Sequence, residues 1–222
     1  MLARKGAPEG LWVRALRQTG GRGRQGRQWA SPEGNLYASI LVRLRSGDPA
    51  AATLALVAAV ALHEVVSAYA GEAGVTIKWP NDLLCDGAKL SGILLERQED
   101  AVIIGFGVNL ADHPDDVARP ATSLRAVAGS APDAALFLDN LASAFARWLG
   151  RWRSEGLGPV RAQWLQVAHP IGSVLSTHTP GGERIEGLFD GLHDSGALRL
   201  RLADGSIHIV HAGDVSMAGP ET

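Results

Sequence analysis

The feature that most limits the fold is a change of texture at His169-Pro170. Before it, apolar stretches of helical length alternate with strand-like runs. After it come only short period-two segments, GSVLSTH, RIEGLFDGL, ALRLRLA and SIHIVH. Pro180-Gly181-Gly182, Ser195-Gly196 and Asp204-Gly205 separate them. Leu198, Leu200 and Leu202 fall on one side of their strand, Arg199 and Arg201 on the other. This pattern predicts a small β-barrel of SH3-like size over 169–222, following an α/β region over 1–168.

Within the first region, LWVRALRQT (11–19) and LYASILVRL (36–44) read as strands, the second apolar at nearly every position and therefore central. Asp48-Pro49 supplies a helix cap and a first-turn proline for an alanine-rich helix running to about Ala70. VTIKW (75–79) is a strand stopped by Pro80. Asp86-Gly87 marks a hairpin within 83–96, and a second turn at Gln98 to Asp100 leads to a buried strand, AVIIGFGVNL (101–110). Residues 111–124 read as a proline-broken loop, and 133 to about 168 as two helices parted near Gly156-Leu157-Gly158.

Composition removes several function classes. The formal net charge is −2, without the strong basic excess of a general nucleic-acid binder. A single cysteine, Cys85, excludes an internal disulfide framework and a cysteine-based zinc cluster. The apolar run Ala50 to Val66, interrupted by Thr53, His63 and Glu64, falls short of the ~20 residues of a membrane span and reads as a buried helix, with His63 at a core or interface position. MLARKGAPEG has no apolar segment of a signal peptide, so the expected location is cytoplasmic. His208 and His211 sit three apart on a strand and face opposite ways, which argues against a shared metal.

The segment GGRGRQGRQW (20–29) contains a literal G-x-G-x-x-G at Gly21, Gly23 and Gly26. A dinucleotide site needs a helix starting among those glycines, because the helix N-terminus holds the pyrophosphate. Here RQWASPEGN follows, broken by Ser31-Pro32 and Gly34-Asn35, so the fingerprint fails. What remains is a glycine-rich tether carrying Arg22, Arg24 and Arg27 and ending in Trp29, with no acidic residue between Glu9 and Glu33. Such a loop suits an anionic ligand gripped by guanidinium forks, with glycines allowing closure. A solvated turn or an RNA-binding arginine-glycine patch is the blander reading.

A second constellation is KWPNDLLCDGAKLSGILLE (78–96). Lys78 and Lys89 bracket Asp82, and Pro80-Asn81-Asp82 turns the chain at the end of a strand. A carboxylate beside lysine and arginine suits nucleotidyl transfer, in which magnesium needs an oxygen ligand and developing charge needs cations. For Lys78 alone, a surface lysine on a hairpin is the preferred reading. No P-loop and no G-x-S-x-G elbow occurs.

GRGRQGRQW, KWPNDLL, KLSGILLE, GFGVNL and ATSL, in this order, resemble biotin protein ligases; the likeness runs from about Leu11 to the end, in the short form without a DNA-binding domain. The resemblance implies an α/β (α+β) fold: a class II synthetase-like biotin/lipoate ligase catalytic domain with a mixed sheet, then an SH3-like barrel. It implies the cofactors and substrates biotin, ATP and Mg2+. Biotin is activated to biotinyl-5′-AMP, then transferred to a lysine of the biotin carboxyl carrier domain of a carboxylase. By resemblance, Gln18, Gly21, Arg22, Gly23, Arg24, Gly26, Trp29, Lys89 and Gly92 surround biotin and its adenylate. Asn81, Asp82 and Asn109 lie near ATP and magnesium, with Asp82 either a metal ligand or a base. Lys89, Arg24 and Asp82 are the expected catalytic groups.

Two departures from the family stand out. There is no room for an N-terminal helix-turn-helix, so no operator binding is expected. The family's Asp-Ser-Thr-Asn segment also has no counterpart, since the first threonine is Thr19 and the first serine Ser31. The expectation is a site lacking one strand. A ligase or transferase for lipoate or octanoate, and a biotin-binding protein weakened by truncation, stay as alternatives. Homodimerisation through the main sheet is a further expectation drawn from the family, and no membrane or nucleic-acid partner is expected.

Overall fold

The computed structural model describes residues 2–115, 119–178 and 182–217, in which eleven strands form two sheets. The first contains β1 (Trp12–Ala15), β2 (Leu36–Arg43), β3 (Val75–Lys78), β4 (Asp82–Cys85), β5 (Ala88–Gln98) and β6 (Ala101–Val108), in the order β1-β2-β6-β5-β4-β3. Its ladders are antiparallel, and its mixed character comes from single parallel bridges, Ile77 to Ala168 and Lys89 to Ala121. Both anticipated hairpin turns form. Asp86 and Gly87 adopt φ of 47° and 81° between β4 and β5, and Glu99 adopts 57° between β5 and β6.

Strand alternation gives this sheet two chemically different faces. Val102, Ile104, Phe106 and Val108 of β6 point into the core with Leu36, Ala38, Ile40 and Val42 of β2. The opposite face of β6 carries Ile103, Gly105 and Gly107, paired across β2 with Leu41, Ser39 and Tyr37. Gly107 also pairs with Gly92 of β5. Side chains therefore pack one face and are missing from much of the other.

Helices cover the packed face. α1 (Leu54–Tyr69) is apolar nearly all round because it lies between the sheet and α3 (Ala134–Glu155). By length and composition Ala51–Tyr69 could cross a membrane, yet here it is the core helix, with Leu54, Val57, Ala58, Ala61 and Leu62 fully buried. The expected cap does not form: α1 is entered through a 3-10 turn at Ala51–Thr53. Asp48 instead accepts the Arg45 amide at 2.9 Å and pairs with Arg153 at 3.4 Å. A buried guanidinium needs a carboxylate more than an exposed helix start needs a cap. Asp133 does cap α3, accepting from the amides of Ala135 and Leu136. α2 (Leu124–Ala128) is capped by Ser123, and α4 (Gly158–Val167) follows the break at Gly156. His63 is half-buried, its Nε2 3.1 Å from the Val75 carbonyl, and burial holds its pKa below the usual imidazole range.

The second sheet contains β7 (Val174–His178), β8 (Arg184–Leu192), β9 (Leu198–Arg201), β10 (Ile207–Val210) and β11 (Ser216–Met217), in the order β10-β9-β8-β7-β11. Leu198 and Leu200 are buried and Arg199 and Arg201 lie outward beside Asp190, as the alternation predicts. No ladder among the described residues joins β10 to β11, so the expected barrel is a small antiparallel sheet without hydrogen-bonded closure. Pro180-Gly181 lies outside the described residues. The second sheet meets the first region through Trp164 of α4 against Phe189 and through Trp79, whose Nε1 donates to the Gly196 carbonyl at 3.1 Å.

Candidate active site

A cleft of about 500 Å³ opens on the side-chain-poor face of the first sheet. Its floor is backbone at Gly92, Gly105 and Gly107. The Trp29 indole lies across that floor: a Cβ on Gly107 would stand 2.6 Å from the ring, and one on Gly92 3.2 Å away. Gly107 of GFGVNL and Gly92 of KLSGILLE are thus needed for close approach. Trp29 Nε1 is buried there with no hydrogen bond among the described residues.

Lys89 reaches the same face as Gly92 although it lies three positions earlier, a spacing that puts residues of a regular strand on opposite faces. The register supplies the reason. Leu83 pairs with Ser91 but Leu84 pairs with Lys89, so Leu90 is one extra residue, a β-bulge. Leu90 drops into the core and Lys89 turns to the cleft. Its Nζ lies 2.8 Å from Asp82 Oδ1 and 5.6 Å from the centroid of the Trp29 ring. The backbone of Lys89 is fixed as well. Its amide donates to the Pro120 carbonyl at 2.8 Å, and its carbonyl accepts from the Thr122 amide at 2.9 Å. The ATSL segment therefore acts as a splint on the lysine. Asn109 completes it, its Nδ2 donating to the Thr122 carbonyl at 3.0 Å.

Residues 20–31 fold back on themselves instead of starting a helix, which removes the dinucleotide reading. The Trp29 amide donates to the Gly21 carbonyl at 3.0 Å and that of Gly23 to Arg27 at 2.7 Å, with a short 3-10 turn at the tip. Gln25 and Gly26 turn that tip with φ of 57° and 73°. Gly21 is obligatory, since a Cβ would meet the Trp29 carbonyl at 2.5 Å. Arg24 Nη1 donates to the Gly213 carbonyl at 3.0 Å and to Asn81 Oδ1 at 3.4 Å. Asn81 is itself held, its Nδ2 donating to the Ile93 carbonyl at 2.7 Å.

A glycine-floored trough under an arginine loop, with a lysine–aspartate pair at one side, invites comparison with known proteins. Residues 3–109 match the biotin/lipoate A/B protein ligase family, and residues 178–217 match the biotin protein ligase C-terminal domain. A biotin–[acetyl-CoA-carboxylase] ligase of Paracoccus denitrificans is 41% identical over 94% of this chain and 90% of its own length. The chain belongs to the biotin/lipoate protein ligase family. The fold agrees. The biotin protein ligase of Aquifex aeolicus in complex with biotin and ATP superposes with a TM-score of 0.84 at 27% identity, over 95% of this chain and 89% of that one. The Leishmania major biotin protein ligase, in complex with biotinyl-5-AMP, gives 0.66 at 27% identity, over 96% of this chain and 92% of that one.

Of the site residues that the sequence nominates for such a ligase, Gln18, Arg22, Gly23, Arg24, Trp29, Asn81, Asp82, Lys89, Gly92 and Asn109 line one cleft. Gly21 and Gly26 shape the loop and do not line it. Gln18 accepts a hydrogen bond from Ser31 Oγ at 3.0 Å, tying the start of the loop to its end. Sequence reasoning missed Gly105 and Gly107, although a Gly-x-Gly at period two inside an apolar strand is the signal of a bare sheet face. It also missed Arg119 and Asp214, which reach the cleft from distant segments with no local motif to mark them. Among the described residues no group of three or more metal-ligating side chains occurs.

Proposed function

We infer that this chain is a biotin–carrier-protein ligase, which joins biotin to ATP as biotinyl-5′-AMP and passes the biotinyl group to a lysine of the biotin carrier domain of a carboxylase. The observation that carries the reading is the trough itself: a glycine floor on which the Trp29 indole lies, open to a fused-ring ligand, with cations gathered where its carboxylate would be activated. We place the division of labour at 168/169, with the trough before it and a supporting sheet after it.

In the first step a biotin carboxylate oxygen attacks the α-phosphorus and pyrophosphate leaves. The carboxylate is already ionised at neutral pH, so what the protein contributes is relief of repulsion between two anions, through Arg22, Arg24 and Lys89. In the second step a carrier lysine amine attacks the acyl carbon, AMP leaves, and the amine gives up a proton. Lys89 then donates to the acyl oxygen as charge collects there, with Asp82 holding the ammonium in place. Asp82 suits magnesium as a ligand: it is a buried carboxylate beside the cleft, its Oδ1 2.8 Å from Lys89 Nζ, and magnesium–nucleotide sites use one or two carboxylates completed by phosphates. Magnesium there would neutralise phosphate charge. Closure of 20–31 keeps water from the anhydride.

The deciding experiment is ATP–pyrophosphate exchange in magnesium with biotin, with octanoate, and with neither. Exchange that requires biotin is the expected result. Exchange driven by octanoate would move the assignment to the lipoate-type ligases, and no exchange with either acid would sink the ligase reading.

A further inference from the structure

We propose that Asp214, on the connection between β10 and β11 of the second sheet, is the positioning residue that latches the arginine loop over the cleft. Two loop cations converge on this carboxylate: Arg27 Nη2 lies 2.5 Å from Oδ2 and Arg24 Nη1 3.8 Å from Oδ1. The neighbouring Gly213 carbonyl takes the direct hydrogen bond from Arg24 at 3.0 Å. All three contacts use one terminal nitrogen of each arginine. Nε and Nη2 of Arg24 make no hydrogen bond among the described residues, so the unused edge of the guanidinium is left for an anion in the cleft that Arg24 lines.

The latch is anchored in turn. Buried Thr177 on β7 donates its hydroxyl to the Asp214 carbonyl at 3.0 Å. Gly213 passes over that hydroxyl with φ of 145°, and a Cβ there would stand 3.0 Å from it. Burial pushes the Asp214 carboxyl up, but the guanidiniums of Arg27, Arg119 and Arg24 outweigh it, so the group titrates below the usual carboxylate range and is charged at neutral pH. The route from Thr177 through Asp214 to Arg24 thus links the second sheet to the loop without passing through the floor of the trough. That gives the second sheet a defined task in the reaction: it sets how firmly the loop closes. The functional half of this inference rests on the ligase reading; the structural half does not.

Amide hydrogen exchange of peptides spanning 20–31 in the ligand-free protein tests the latch directly. In Asp214→Asn the loop amides should exchange at least tenfold faster while peptides from β7 and β8 keep their wild-type rates. Asp214→Glu should restore most of the protection, and Arg27→Gln should reproduce the loss from the loop side. Unchanged loop exchange in both Asp214→Asn and Arg27→Gln overturns the proposal, as does acceleration spread evenly through the second sheet. A second arm measures escape of biotinyl-adenylate, expected to rise about tenfold in Asp214→Asn and to recover in Asp214→Glu. If wild-type protein makes no adenylate while the loop arm behaves as expected, the ligase reading fails and the latch stands. Faster loop exchange with unaltered adenylate escape would remove Asp214 from the reaction.

Discussion

Two of the places where this chain brings cations to the cleft are built in opposite ways. Lys89 sits on the β4–β5 hairpin, its side chain redirected by a bulge and its backbone splinted by Pro120 and Thr122. Arg22, Arg24 and Arg27 sit on a glycine-rich fold-back whose outside anchors are a ring on a bare floor and a few side-chain contacts. The first arrangement suits charge stabilisation in a transition state, where misplacement is costly and motion adds nothing. The second suits admission and retention, where the same groups have to leave and return. One cleft thus divides its cations between a fixed element and a movable one.

That contrast is most exposed to failure at Lys89. Replacing it by alanine should lower turnover roughly 10²–10³-fold, about 3 kcal/mol, the scale of a lost oxyanion donor, with little change in melting temperature. Turnover near wild type would strip the hairpin of its role. Gly107→Ala comes next. Its Cβ would overlap the Trp29 ring, so the ring has to lift, and the KM for biotin should rise about tenfold while kcat changes less. An unaltered KM would mean that the floor is not where the ligand rests. Arg24→Gly should leave the fold intact and increase leakage of biotinyl-adenylate about tenfold, the consequence of a lost charge-assisted contact. If trapped adenylate persists as in the wild type, retention does not depend on this arginine.

The smallest effect tests the frame behind the fixed element. Glu9 accepts hydrogen bonds from Arg153 and Arg45, both at 2.6 Å, and from the Arg43 amide at 3.2 Å, tying the N-terminal segment to β2 and α3. Burial pushes its carboxyl up, but these donors prevail and lower it from 4.5 to about 2. A depressed pKa means stability that is fully present above the unfolded value and lost as pH falls through the folded one. The wild type should therefore lose stability between about pH 4.5 and 2 by a margin that Glu9→Gln lacks. Urea midpoints across that window, parallel in the two proteins, would contradict the assignment.

Much of this was legible in the sequence for identifiable reasons. Asp86-Gly87 supplies the positive φ of a two-residue hairpin turn, and the Leu198 to Leu202 alternation betrays a half-buried strand. The arginine loop was readable because its glycines and charges lie side by side. Asp48 was misread because a cap and an ion-pair partner look alike until the partner is known, and Arg153 lies far along the chain. Asp214 was invisible for the same reason. Its meaning depends on two arginines nearly two hundred residues earlier, a separation that no local pattern encodes.

The bulge at Leu90 has an evolutionary consequence. Because strand faces alternate strictly, what places Lys89 beside Gly92 is a matter of odd and even, the count of residues between two fixed ladder positions. Substitutions along β5 can exchange one side chain for another and leave that count untouched. A strand that kept this odd spacing but lost the bulge would send the lysine into the core and Leu90 into the cleft. Descendants of this chain are free to drift in spelling there, while the length of the segment and its bulge have to change together.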